Sequence, residues 1–176
     1  MRFIRANARC RAFTRSSRKT HGFLDPRWNL LADELDISTL GVEFEPEEGE
    51  SGLRLDYLFA LVPVESATLD EVIVVEIKRG TNADGSVRKA SDIEVQKFHS
   101  YVLQVRDYYA RNTKPPRVRG VFIAQDYTRS GDRMRKSLEA NQDVRLTFRT
   151  WEMAIDETER MHLAWLKLSK LRAARE

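Results

Sequence analysis

Apolar positions along the chain fall into short blocks whose spacing switches between two residues and three to four, as expected of alternating strands and helices. Residues 54–62 (RLDYLFALV) and 72–78 (VIVVEIK) are rich in β-branched and aromatic side chains and are bounded by turn chemistry, which predicts two strands. The nine residues between them, 63–71, suit an antiparallel connection. Residues 79–90 are polar and loop-like, and Asp84-Gly85 within them reads as a turn. Ser91 followed by Glu94 is a capping-box pattern that opens a helix reaching to about residue 112. On it Val95, Phe98, Val102, Val105 and Tyr109 recur at three-to-four spacing and predict a buried face. A third strand is expected over 118–125, a short helix over 132–141 and a half-exposed strand over 144–149. Residues 151–172 predict a long amphipathic helix, with Trp151, Met161, Trp165 and Leu168 as packing residues or as a docking stripe for a partner or second copy. Upstream, residues 25–36 (DPRWNLLADELD) predict a short helix with Pro26 in its first turn, and 43–51 an acidic loop. Helices flanking a mixed sheet make this an α/β chain.

Length and composition narrow the picture. The 176 residues suit one domain, expected over 25–176 after a basic arm at 1–24. No apolar run approaches the ~18 residues of a membrane span. The single cysteine, Cys10, excludes an internal disulfide framework and a four-cysteine zinc site. His21, His99 and His162 lie far apart, which argues against a histidine-based metal site, and His99 reads as a boundary residue. The cysteine usage suits a reducing, cytoplasmic compartment. Net charge is +3, yet Arg2, Arg5, Arg9, Arg11, Arg15, Arg18 and Lys19 precede the first acid, leaving the remainder about four charges negative. Such an arm suits phosphate contact. It is equally compatible with a transit peptide or with a helix remnant of a larger protein.

The candidate chemistry lies in the strands. Side chains alternate across a strand, so Asp56 shares a face with Leu58 and Ala60, and Glu76 and Lys78 share one with Val72 and Val74. A charge on an apolar face is costly unless it is paired or metal-bound. If the two strands are neighbours, about 4.8 Å apart, both carboxylates come within reach of one cation. Oxygen ligands of this kind suit Mg2+ or Mn2+. Lys78, two residues from Glu76, is placed to orient a water or stabilise charge on a phosphate oxygen. Taken alone, Glu76-Ile77-Lys78 at a strand end describes an edge salt bridge. The preceding strand with its Asp, the twenty-residue separation, the apolar run before Glu76 and the capped helix after it favour a metal site.

Asp56 followed by Glu76-Ile77-Lys78 on the next strand resembles the PD-(D/E)XK nuclease superfamily, and VIVVEIKRG is similar to the nuclease-like domains attached to some bacterial ATP-binding proteins of the GHKL type. The resemblance implies a restriction-endonuclease-like core: a mixed central sheet flanked by helices, here with a C-terminal amphipathic helix. It implies Asp56, Glu76 and the Ile77 carbonyl as ligands of Mg2+ or Mn2+, with Lys78 orienting water. Many members add an acid from a helix before the core, for which Glu34 is the candidate and Asp33 the neighbour. Leu55 stands where the family often has proline. Related nucleases also carry Gln and Tyr four residues apart on the helix after the core. Here Gln96 and Tyr101 are five apart, and Lys97 and Tyr101 have the family spacing, so either Lys97 takes the glutamine's place or the motif is absent.

The expectation is therefore metal-dependent hydrolysis of DNA phosphodiesters by a nuclease domain, in the setting of a larger defence or repair protein. The alternative is an inactive module of the same fold that binds nucleic acid or an attached ATP-binding domain. A homodimer is left open, and no membrane partner is expected.

Overall fold

In the computed structural model the described residues are 29–36, 54–61, 69–141 and 143–173. The basic arm, Cys10, His21 and the acidic loop at 43–51 lie outside them. Five strands form the main sheet: β1 (Asn29–Asp36), β2 (Arg54–Leu61), β3 (Glu71–Ile77), β5 (Arg117–Ile123) and β7 (Arg145–Arg149). Their order is β1-β2-β3-β5-β7, antiparallel across β1-β2-β3 and parallel across β3-β5-β7. Two parallel connections need crossovers, supplied by helices α1 (Asp92–Tyr109) and α2 (Arg129–Ala140). The closing helix is α3 (Trp151–Ala173). The expected mixed sheet flanked by helices, with a C-terminal helix, is thus present. Among the described residues no helix is long and apolar enough to cross a membrane.

Alternation along β3 divides the core. Val72 and Val74 face α1 and α2, joining Leu58, Val95, Phe98, Val102, Val105, Phe122, Leu138 and Phe148. Ile73 and Val75 face the other way, with Phe59, Val121, Ile123 and Ala154 of α3. Both faces being covered explains why β3 reads as a continuous apolar run rather than an alternating one. The α1 side relies on a close approach at Gly120. A Cβ there would lie 2.5 Å from Phe98 Cζ, 2.7 Å from Val102 Cγ2 and 2.8 Å from Leu146 Cδ2. These are core side chains with no room to retreat. Gly120→Ala is expected to lower stability by ~1–3 kcal/mol, read as a thermal midpoint several degrees below wild type. An unchanged midpoint would show that α1 shifts freely on the sheet.

The expected helix over 25–36 is corrected: residues 29–36 form the edge strand β1, paired antiparallel with β2. Leu, Ala and Glu give this segment helical propensity, but pairing with β2 overrides it. The alternation that would have betrayed a strand is broken by a bulge between Leu30 and Ala32. Leu30 consequently packs on the α3 face and Ala32 on the α1 face, although two residues apart they would otherwise share a side. Elsewhere boundaries move by a few residues. Helix α2 starts at Arg129 because Thr128 caps it, accepting the Gly131 N–H at 3.0 Å. The polar loop also contributes β4 (Lys89–Ala90), which pairs in parallel with β6 (Asp126–Tyr127). Two-residue strands of this kind leave no pattern to read.

Candidate metal centre

The register of the sheet builds a row of acids. Tyr57 pairs with Val75, so continuing the β2-β3 ladder by one residue sets Asp56 opposite Glu76. Directly opposed residues of an antiparallel pair share a face. Asp33 pairs with Tyr57 and Leu35 with Leu55, which sets Glu34 opposite Asp56 in turn; the side chains of Asp33 and Glu34 lie outside the described residues. The β1 bulge matters here, because the one-residue shift it introduces is what sets the Glu34 backbone opposite Asp56. On the other side Glu76 adjoins Phe122 of β5, so the acids end against the aromatic core.

Asp56 reaches across to β3: its Oδ2 accepts the Ile77 N–H at 2.7 Å. A strand residue turns its N–H and C=O to the same neighbour, so the Ile77 carbonyl faces the Asp56 side as well. The next residue turns the other way, Lys78 N–H donating to Ile123 O at 2.8 Å. Lys78 Nζ donates to Glu76 Oε1 at 2.5 Å and lies 3.9 Å from Glu94 Oε1. Glu94, in the first turn of α1, completes the capping box through Ser91 and holds Arg88 Nη2 at 2.6 Å. Glu76 is only 6% exposed, and its Oε2 is buried with no hydrogen-bond partner. Burial pushes the Glu76 carboxyl above its ordinary value of 4.5; Lys78 pulls it down and the Asp56 charge raises it, leaving it raised on balance.

A hard divalent cation fits this donor set. Two facing carboxylates repel, one ammonium offsets part of that charge, and one buried carboxylate oxygen still lacks a positive partner. Among the described residues no three His, Cys, Asp or Glu side chains group in a way that could hold a metal ion. The site lies at the carboxyl end of β3, where the sheet changes from antiparallel to parallel. Open α/β sheets bind ligands beyond the carboxyl ends of their strands.

Lys97 and Tyr101 sit one turn apart on α1: Tyr101 is in the core cluster, Lys97 half-buried, and Gln96 exposed. His99 is a half-buried boundary residue whose pKa is lowered by burial and by Arg106. The loop after Lys78 is a short hairpin: Gly85 N–H donates to Asn82 O, Asn82 N–H to Ser86 O, and Gly85 takes φ 81°. Asp84 is engaged by the Ser86 hydroxyl and amide, which lower its pKa, so this is the turn that the sequence suggests. Two contributors were not foreseen. Glu94 was legible as a cap but not as a second carboxylate beside Lys78. Trp151, read as packing, donates its indole N–H to Lys78 O at 2.9 Å.

No protein-family model matches the chain, and no curated protein matches it. Among solved structures it is similar to the crystal structure of a repair endonuclease from Pyrococcus abyssi, at 22% identity and a TM-score of 0.40. The overlap covers 74% of this chain and 43% of that one, so the chain spans less than half of that protein's length.

Proposed function

We propose that this chain is a divalent-metal nuclease domain that hydrolyses phosphodiester bonds in DNA. Asp56, Glu76 and the Ile77 carbonyl would hold Mg2+ or Mn2+, with Glu34 as a further donor from β1. One observation carries the reading: Asp56 of β2 accepts the Ile77 N–H beside Glu76, and the buried Glu76 keeps an unpartnered oxygen next to a lysine. When bound, the cation supplies a Lewis acid next to the phosphodiester. The protein's own groups do the rest. Asp56 fixes the Ile77 peptide by accepting its N–H. Lys78, turning from Glu76 Oε1, donates to the attacking water or to a non-bridging phosphate oxygen, where negative charge develops. Glu94 keeps a second carboxylate near the ammonium, so Lys78 stays in the site when Glu76 is otherwise engaged. Lys97 is assigned a phosphate contact, and Tyr101 the packing that fixes the helix carrying it.

The test is incubation of supercoiled and linear DNA with the purified chain in Mg2+, Mn2+ or EDTA, alongside Mn2+ binding by electron paramagnetic resonance. Nicking in both metals and none in EDTA is expected, together with Mn2+ binding that Asp56→Asn weakens. DNA left intact in both metals by a folded protein removes the catalytic reading. A module of the same fold that binds nucleic acid or an attached ATPase domain without cutting is then favoured, since Glu76 already has an ion pair with Lys78. That module predicts salt-sensitive DNA binding without cleavage.

A further inference from the structure

Lys78 follows the last residue of β3, so its backbone needs partners from outside that strand's regular ladder with β2. The N–H is taken by Ile123 O of β5. The carbonyl is taken by Trp151, whose indole N–H reaches it from the first residue of α3 at 2.9 Å. The indole has a single donor and no acceptor, and when partly buried it needs an acceptor to compensate for the water it loses. Its ring packs against the cluster of Phe59, Ile73, Val75, Val121, Ile123 and Ala154, which holds it from behind. Its start in the helix is fixed too: Thr150 Oγ1 accepts the Met153 N–H at 3.2 Å, and Thr150 O accepts the Ala154 N–H at 3.0 Å. Gly80 lies alongside, where a Cβ would come 3.7 Å from the Trp151 ring. The lysine is therefore gripped by the sheet on one backbone group and by α3 on the other, while its side chain meets Glu76 on the side of the sheet that α1 covers.

We propose that Trp151 is a positioning residue for this site, acting through the carbonyl of Lys78 to fix where the ammonium stands relative to Glu76. The proposal rests on the nuclease reading for its kinetic consequence, but not for its structural one. Donors and acids must be held within about 0.5 Å of the productive arrangement, and a displacement near 1 Å costs on the order of a hundred-fold in rate. Removing one of two backbone anchors allows a smaller shift, so about a ten-fold loss of kcat is expected, with KM within about two-fold, because Trp151 is assigned no contact with DNA.

The experiment compares Trp151→Phe, which keeps an aromatic ring and removes the N–H, with Thr158→Val. Thr158 is a buried α3 residue whose hydroxyl donates to Ala154 O, and it serves as a control for general loosening of the helix. Each protein is labelled with 13Cε-lysine, and the Lys78 signal is assigned by its loss in Lys78→Arg. In the metal-free wild type the Lys78 signal is expected apart from those of exposed lysines. In Trp151→Phe it moves towards them and kcat falls, whereas Thr158→Val changes neither. A Lys78 signal unmoved by Trp151→Phe overturns the proposal, as does an equal movement in both variants. Should Trp151→Phe fail to fold, the isosteric benzothienylalanine at position 151, in a chain with Trp28 and Trp165 replaced by Phe, removes the donor alone and is read in the same way. If the wild type does not cleave DNA, the nuclease reading fails, and the lysine signal decides the positioning role by itself.

Discussion

Replacing Lys78 with alanine is expected to leave a folded protein whose DNA cleavage has fallen by at least about a hundred-fold, the scale on which a single donor to developing charge is valued. The fold tolerates the change because the Lys78 side chain is outside both apolar clusters and remains 20% exposed. Its loss removes the ammonium from Glu76 Oε1 and leaves a buried carboxylate, whose Oε2 already lacks a hydrogen-bond partner, without its nearest positive charge. That is destabilising without a cation and offset with one, so folding should be compared in Mg2+ by circular dichroism. Lys78→Arg keeps the charge but replaces a compact ammonium by a planar fork, and intermediate activity is expected. Single-turnover cleavage of a plasmid measures both. Lys78→Ala acting within about three-fold of wild type would mean that the lysine is only an ion-pair partner, and the chemistry would have to be sought elsewhere.

The candidate site was legible in the sequence because its two strands are unusual in the same way. Val72 to Val75 are fully buried between two helical layers, and a run that apolar makes the Glu and Lys at its end conspicuous. Strand alternation then fixed which residues share a side, and the short connection implied that the strands were neighbours. The capping box fixed the start of α1, and the 3.6-residue period its buried face.

What escaped had no local signature. Residues 29–36 carry helix-forming side chains, and their strand character is decided by partners 18 or more positions away, with a bulge erasing the period. Glu34 was proposed as an acid on a helix; its backbone stands instead opposite Asp56 in a ladder, which only the register could reveal. The role of Glu94 was hidden because one carboxylate serves two neighbours, and the local one, the cap, was sufficient to explain its presence. Trp151 was hidden for the same reason. A tryptophan opening an amphipathic helix is explained by packing, and the hydrogen bond to Lys78 joins residues 73 positions apart. In each case the missing information was a side chain's second partner, supplied by topology rather than by neighbours in sequence.

Glu76→Gln should show a reversal between metal-free and metal-bound protein. The Glu76 carboxyl is raised above 4.5, chiefly because burial penalises its charged form, with Asp56 adding to the rise against the pull of Lys78. A carboxyl raised in the fold makes its contribution to stability below its unfolded pKa, and that contribution is lost as pH rises through the higher folded value. At neutral pH in EDTA the ionised group is thus a net cost to the wild type. Glutamine is similar in size and uncharged, and Lys78 still has Glu94 at 3.9 Å. The variant is expected to melt a few degrees higher than wild type in EDTA at pH 7, since ~1 kcal/mol moves a domain of this size by roughly 2–4 °C. This advantage should shrink as pH falls towards 4.5 and the wild-type carboxyl takes up its proton. Saturating Mg2+ should reverse the order. A ligand at a hundred times its Kd stabilises the folded state by ~2.7 kcal/mol, and only the wild type retains the anionic donor that binds it. Scanning calorimetry of both proteins, with and without Mg2+, checks the prediction. A variant that melts below wild type in EDTA would show that the Lys78 ion pair outweighs the burial of Glu76. Equal stabilisation of both proteins by Mg2+ would place the cation away from this carboxylate.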